Sequence, residues 1–267
     1  MVPRDVSIRH VSIRIEDVHV DYSTRRVLNG IDLEIQRGEF VSIVGQTGCG
    51  KSTLLRLILG DERPTHGRLL VNGRERHQPD RTCGYVPQKY SLFPHKTALE
   101  NVTFPLEVTA TRRRPREFRS EALRYLLRTG LEESDARKYP HQLSGGMQQR
   151  VAIAQALILK PPILLMDEAF SALDPGTRTG MQRLIRELWS ENGPTIVFVT
   201  HNTREAVCLA TRVIALAAGE QGSSVALDLP VPHLDFDSDE REIRRLAGEV
   251  ESAMAPQSRA AYKHVFL

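Results

Sequence analysis

Three short apolar runs, each ending on residues able to do chemistry, constrain this chain more than any other feature. Phe40-Val41-Ser42-Ile43-Val44 runs into Gly45, Ile163-Leu164-Leu165-Met166 into Asp167-Glu168, and Thr195-Ile196-Val197-Phe198-Val199-Thr200 into His201. The runs are rich in β-branched residues and lack alternation, the pattern of strands buried on both faces of a mainly parallel sheet. Parallel neighbours need crossovers, and Gly176 to Trp189 supplies one, with Met181, Leu184, Ile185 and Leu188 at helical spacing. Ligands of open α/β sheets bind beyond the carboxyl ends of the strands. Gly45, Asp167, Glu168 and His201 are therefore expected to converge on one site of an α/β fold.

Around this core the organisation is uneven. Ser12 to Val20 and Val27 to Ile35 read as half-buried strands, and Arg68 to Val71 followed by Asn72-Gly73 as a hairpin entry, which together predict a small antiparallel sheet. From about Tyr90 to Lys160 strand signals vanish and apolar residues recur at helical spacing (Ala122, Leu123, Leu126, Leu127; Val151, Ala154, Leu157, Ile158), an inserted helical subdomain. After Gly219 the chain is expected to turn irregular through Leu229-Pro230-Val231-Pro232. A last amphipathic segment then places Ile243, Leu246, Ala247, Val250 and Met254 on one face. The expected division is a domain over 1–225, with its helical part at about 90–160, and a tail over 226–267.

Composition excludes several classes. A 267-residue chain that is 40% hydrophobic can bury a sizeable core. Its net charge of +3 is too small to argue for nucleic acid, and Arg112-Arg113-Arg114-Pro115-Arg116 reads as a solvated loop. Cys49, Cys83 and Cys208 are odd in number and lack zinc spacing, which favours a reducing compartment. Val6 to Val20 alternates like a strand and does not read as a signal peptide. No apolar run approaches the ~20 residues needed to span a bilayer, so a transport role requires a separate membrane partner.

The segment Gly45-Gln46-Thr47-Gly48-Cys49-Gly50-Lys51-Ser52-Thr53 is a phosphate-binding loop by its chemistry. Its glycines turn backbone N–H groups toward phosphates, and the helix that follows aims its positive end at them. Lys51 is expected on the β- and γ-phosphates and the Ser52 hydroxyl on magnesium. Asp167, by the same strand-end geometry, is expected to hold magnesium through water, and Glu168, one residue further out, to act as the base on an attacking water. Ser144-Gly145-Gly146, just before a helix starting near Met147, forms a second anion-binding terminus. Two such termini in one chain suggest a shared site.

Leu143-Ser144-Gly145-Gly146-Met147-Gln148-Gln149-Arg150 downstream of that loop, followed by the carboxylate-ended strand, resembles the ATP-hydrolysing subunits of ABC transporters, and the resemblance covers nearly the whole chain. It implies a P-loop NTPase fold of the ABC ATPase type, with a RecA-like core, a small antiparallel β-subdomain and the helical insertion, using ATP and Mg2+. His201 in Thr200-His201 matches the histidine that contacts the γ-phosphate and orients the water. Gln88 in Tyr85-Val86-Pro87-Gln88 matches the glutamine that approaches magnesium, and Tyr22 the aromatic that stacks on adenine. The family pattern implies a head-to-tail homodimer in which Ser144, Gly145 and Gly146 of one subunit cover the γ-phosphate held by Lys51 of the other. Asp174, in Ser171-Ala172-Leu173-Asp174, matches the family's loop that runs across the dimer and senses the opposite site.

Asp228-Leu229-Pro230-Val231-Pro232 and Glu242-Ile243-Arg244-Arg245-Leu246, with Asp80-Arg81, Leu92-Phe93-Pro94 and Trp189, look like ATPases of nitrate, sulfonate and taurine importers. Asp167 to Asp174 also resembles glycine betaine and proline importers, and a soluble ABC ATPase switch is the alternative from another class. A P-loop kinase fails to explain the LSGG segment. Gln155 replaces a usual arginine, and Asn202 the usual aspartate after the histidine. The resemblance implies integral membrane permease subunits as partners, a solute-binding protein indirectly, no nucleic acid, and a peripheral place on the cytoplasmic face of the membrane.

Overall fold

The computed structural model describes residues 11–23, 25–109, 115–234 and 238–255; the expectations for Val6 to His10, Arg112 to Arg114 and the end of the tail fall outside them. In chain order the strands are β1 (Val11–Tyr22), β2 (Arg25–Gln36), β3 (Phe40–Gly45), β4 (His66–Val71), β5 (Arg74–Glu75), β6 (Cys83–Val86), β7 (Ile163–Asp167), β8 (Thr195–Thr200), β9 (Arg212–Gly219) and β10 (Gly222–Pro230). The α-helices are α1 (Lys51–Leu59), α2 (Ala98–Thr109), α3 (Pro115–Arg128), α4 (Gly145–Leu157), α5 (Pro175–Asn192), α6 (Thr203–Leu209) and α7 (Glu240–Met254).

The three apolar runs form β3, β7 and β8, buried at every residue. They pair in parallel, flanked by β9 and β6. Register aligns their ends: Val44 lies opposite Thr200, and Asp167 opposite Val199. Alternate residues feed two cores. Phe40, Val44, Leu164, Met166, Ile196 and Phe198 face the helical layer, while Val41, Ile43, Leu165, Val197 and Val199 face α1 and the antiparallel strands. Because α1 is enclosed between two parts of the sheet, Leu54, Leu55 and Ile58 are fully buried, each burial stabilising by about 1.5–3 kcal/mol before entropy is counted.

The expected antiparallel strands pair as such, β1 with β2 and β4, and β4 with β5, and they continue into the parallel sheet. All ten strands join in the order β5-β4-β1-β2-β10-β9-β3-β8-β7-β6, with a brief parallel contact of β10 and β2 at Ser223 and Leu28 joining the two parts. The expectation of irregular chain after Gly219 is corrected, because β10 pairs along its length with β9. Its own composition signals a strand poorly, and the partners on both sides supply the pairing. The expected division at 225/226 consequently falls inside a strand. The hairpin between β4 and β5 turns at Asn72 and Gly73, both with positive φ (50° and 75°), the backbone that a tight two-residue turn requires. The helical insertion comprises α2, α3, two 3-10 turns (Glu133–Arg137 and Pro140–Gln142) and α4. Among the described residues no helix is long and apolar enough to cross a membrane, and the three cysteines are free.

Candidate functional site

β3 delivers the chain into the phosphate loop at Gly45, where a Cβ would sit 2.5 Å from Cys49 Sγ and 2.8 Å from the Leu216 carbonyl. Gly50 caps α1 at φ 94°, and a Cβ there would meet Leu28 Cδ2 at 2.6 Å. No side chain caps α1 and its first turn holds no acid, so its leading N–H groups and helix dipole are left for an anion. Lys51, 6% exposed, arches over the loop with Nζ donating to the carbonyls of Gly45 (2.9 Å) and Gln46 (3.0 Å). Cys49 lies beneath the loop, where burial pushes its thiol pKa up against the opposing pull of Lys51; the thiol is an inert packing group there.

Asp167 ends β7 at 5% exposure. Burial raises its pKa, a hydrogen bond with the Ser52 side chain lowers it, and neighbouring Glu168 raises it again. Its Oδ1 is buried without a partner. Such an orphaned acceptor beside a serine hydroxyl suits a divalent cation, so the residues present fit magnesium. Among the described residues no group of three or more His, Cys, Asp or Glu side chains is arranged to hold a metal; the ion would take its other ligands from phosphate oxygens and water.

Glu168 leaves the strand at φ 45°, a left-handed conformation that costs a non-glycine residue of order 1–3 kcal/mol. Its N–H bonds to the Val199 carbonyl at 2.9 Å. The carboxylate is held from both sides: Gln88 Nε2 donates to Oε2 at 2.9 Å, and His201 Nδ1 lies 3.2 Å from Oε1. Gln88, anticipated near the metal, thus reaches the expected base, and residues separated by 80 and 33 positions meet at one carboxylate.

Tyr22 lies at the end of β1, 43% exposed, with its hydroxyl donating to Glu62 and facing Thr53 of α1. Its ring therefore flanks the phosphate-loop helix. Ser144 and Asp174 are N-caps, accepting from the N–H groups of Met147 (3.2 Å) and Thr177 (3.0 Å). Among the described residues no hydrogen bond joins Ser144, Gly145 or Gly146 to the phosphate loop of the same chain. Asn202, the departure from the usual aspartate, caps α6 by accepting from Glu205 N–H at 3.0 Å, a task for which asparagine and aspartate serve equally.

Sequence reasoning missed Glu205 behind His201. It accepts from the Thr200 hydroxyl (2.7 Å) and from Gln182 Nε2 (2.7 Å), while the Asn202 N–H donates to Thr200 Oγ1 (3.1 Å). Asn202-Thr203-Arg204-Glu205 has the spacing of a capping box, a signal that points to this position. Glu62, partner of Tyr22, carries no local signal, because 40 residues separate the two.

A family model described as ABC transporter matches residues 28–171, more than half of the chain. The aliphatic sulfonates import ATP-binding protein SsuB 3 of Pseudomonas savastanoi pv. phaseolicola is 41% identical over 227 residues, 85% of this chain and 81% of that protein. An uncharacterized ABC transporter ATP-binding protein of Methanocaldococcus jannaschii is 43% identical over 230 residues, 83% of this chain and 84% of that one. Among solved structures, a dimeric post-hydrolysis state of the ATP-binding cassette MJ0796 bound to ADP and Pi superimposes with a TM-score of 0.76 at 36% identity. It covers 83% of this chain and 100% of that one. With the phosphate loop, the strand-end carboxylates and the topology in agreement, the chain belongs to the ABC transporter family as one of its ATP-binding, ATP-hydrolysing subunits.

Proposed function

We propose that this ATPase powers import of a small organic anion of the aliphatic sulfonate type by ATP-driven closure of a head-to-tail dimer. The observation that carries the catalytic part is the Glu168 carboxylate, held between Gln88 and His201 beside the phosphate loop. The solute class is supported by 41% identity over 85% of the chain to a protein named for aliphatic sulfonate import. The dimer is supported by the likeness to a dimeric cassette.

In this reading the N–H groups of the phosphate loop and Lys51 hold the β- and γ-phosphates, and Tyr22 stacks on adenine. Ser52 and Asp167 hold Mg2+, which when bound offsets phosphate charge. Glu168 accepts the proton of the attacking water while Gln88 and His201 fix its two oxygens and so aim the base. Ser144, Gly145 and Gly146 of the partner close over the γ-phosphate, Asp174 carries the state of one site to the other, and loss of the γ-phosphate releases the pair. Permease subunits dock on the helical subdomain at the cytoplasmic face of the membrane, and a solute-binding protein delivers the solute from the other side. Uptake of a labelled alkanesulfonate by cells lacking this chain, with and without its return on a plasmid, tests the proposal. Restored uptake is expected, and uptake that is indifferent to the chain overturns the solute assignment.

A further inference from the structure

The helix that follows His201 is gripped from outside the nucleotide site. His201 is 61% exposed at its side chain, so packing does little to orient the ring. Apart from its contact with Glu168, its placement depends on the short backbone between Thr200 and the start of α6 at Thr203. On the α5 side, Gln182 and Thr200 hold Glu205 as described. On the other side lies the tail: α7 buries Ile243, Leu246, Ala247 and Val250 and packs against α6 and β9. Two polar contacts join α7 to the first turn of α6. Thr203 Oγ1 donates to Glu251 Oε1 at 2.6 Å, and Arg204 Nη1 donates to Glu240 Oε1 at 2.6 Å. Thr203 is 6% exposed, so loss of its partner strands a nearly buried hydroxyl two residues from the histidine.

We propose that Thr203 and Glu251 are positioning residues for His201, the tail helix clamping the amino end of α6 and so setting the approach of the imidazole to Glu168. The inference rests on the reading of His201 as a participant in hydrolysis. The lever is short. A hydrogen bond to a carboxylate is stronger than a neutral one, and displacement of a catalytic group by about 1 Å can cost far more in rate than the same displacement costs in stability.

The test is a double-mutant cycle on the whole chain, measuring steady-state ATP hydrolysis, with thermal melting as the control for folding. Glu251→Ala is expected to lower kcat roughly tenfold, the lower end for a hydrogen bond to a charged group, with KM for ATP within about twofold. Glu251→Gln keeps an acceptor oxygen and should restore most of the rate, while Thr203→Val should reproduce the defect from the other partner. In a His201→Ala background Glu251→Ala should cost nothing further, because the group it positions is gone. A defective His201→Ala combined with equal losses in both backgrounds, or with wild-type kcat in folded Glu251→Ala, overturns the clamp alone. Wild-type turnover in His201→Ala overturns the reading of the histidine, and the clamp with it.

Discussion

Glu168 shows how much of this site depends on one backbone conformation. At the left-handed φ of 45° the carboxylate comes within reach of Gln88 and His201, so that adjacent Asp167 and Glu168 keep different partners and can be proposed for different roles. Glu168→Gln keeps the shape and the bond to one partner but removes the basic lone pair. Hydrolysis should fall roughly 10²–10⁴-fold, the usual range for a general base, with ATP still bound. Single-turnover hydrolysis beside equilibrium nucleotide binding checks this, and wild-type turnover would remove Glu168 from the role. Behind it, burial raises the pKa of Glu205 above its ordinary 4.5, with the Thr200 and Gln182 hydrogen bonds opposing. The fold therefore penalises the charged form relative to water. Its contribution to stability is present below the unfolded value and is lost as pH rises through the folded one. Glu205→Gln imitates the protonated form, and the Thr200 hydroxyl can rotate to serve it. Its Tm advantage over the wild type should grow as pH rises above the ordinary carboxylate value of 4.5; an advantage that shrinks with pH would show that the charged form is the stabilised one.

At the scale of elements, the three buried strands β3, β7 and β8 and the helices α5 and α7 were legible because each carries its pattern within itself. Phe40 to Val44 is apolar throughout and is buried throughout. The stripe Ile243, Leu246, Ala247 and Val250 in α7 is the face that the fold buries. β10 was not legible, because its pairing energy comes from β9, and β9 in turn is held by β3 on its other side. α6 is too short at seven residues to announce itself by periodicity. The tail helix illustrates the energetic consequence of burial. Ile243 is fully buried, so Ile243→Ala should destabilise by about 2–5 kcal/mol, read as a lower denaturant midpoint with an unchanged m-value. An unaffected midpoint would mean that α7 detaches before the rest unfolds.

At the scale of the whole molecule, the proposal assigns anion binding to two helix starts, α1 with Lys51 and α4 with Ser144, and no hydrogen bond links them among the described residues. Mixing Lys51→Ala with Ser144→Arg should yield heterodimers with one site lacking both functions and one intact, so the mixture should recover ATPase activity absent from each variant alone. Crosslinking that places Ser144 beside the nucleotide of its own chain would falsify sharing. What the amino-acid sequence determined by itself was the chemistry. The phosphate loop, the paired carboxylates and the LSGG segment are each contiguous, and a contiguous segment at the end of a buried strand has its conformation and exposure set by its own residues. Tertiary structure alone decided that the antiparallel strands continue the parallel sheet through Ser223 and Leu28, that Gln88 and His201 close on Glu168, and that α7 holds the first turn of α6. Each of these is a pairing between groups far apart along the chain, and local periodicity records that a face will be buried without recording what will cover it.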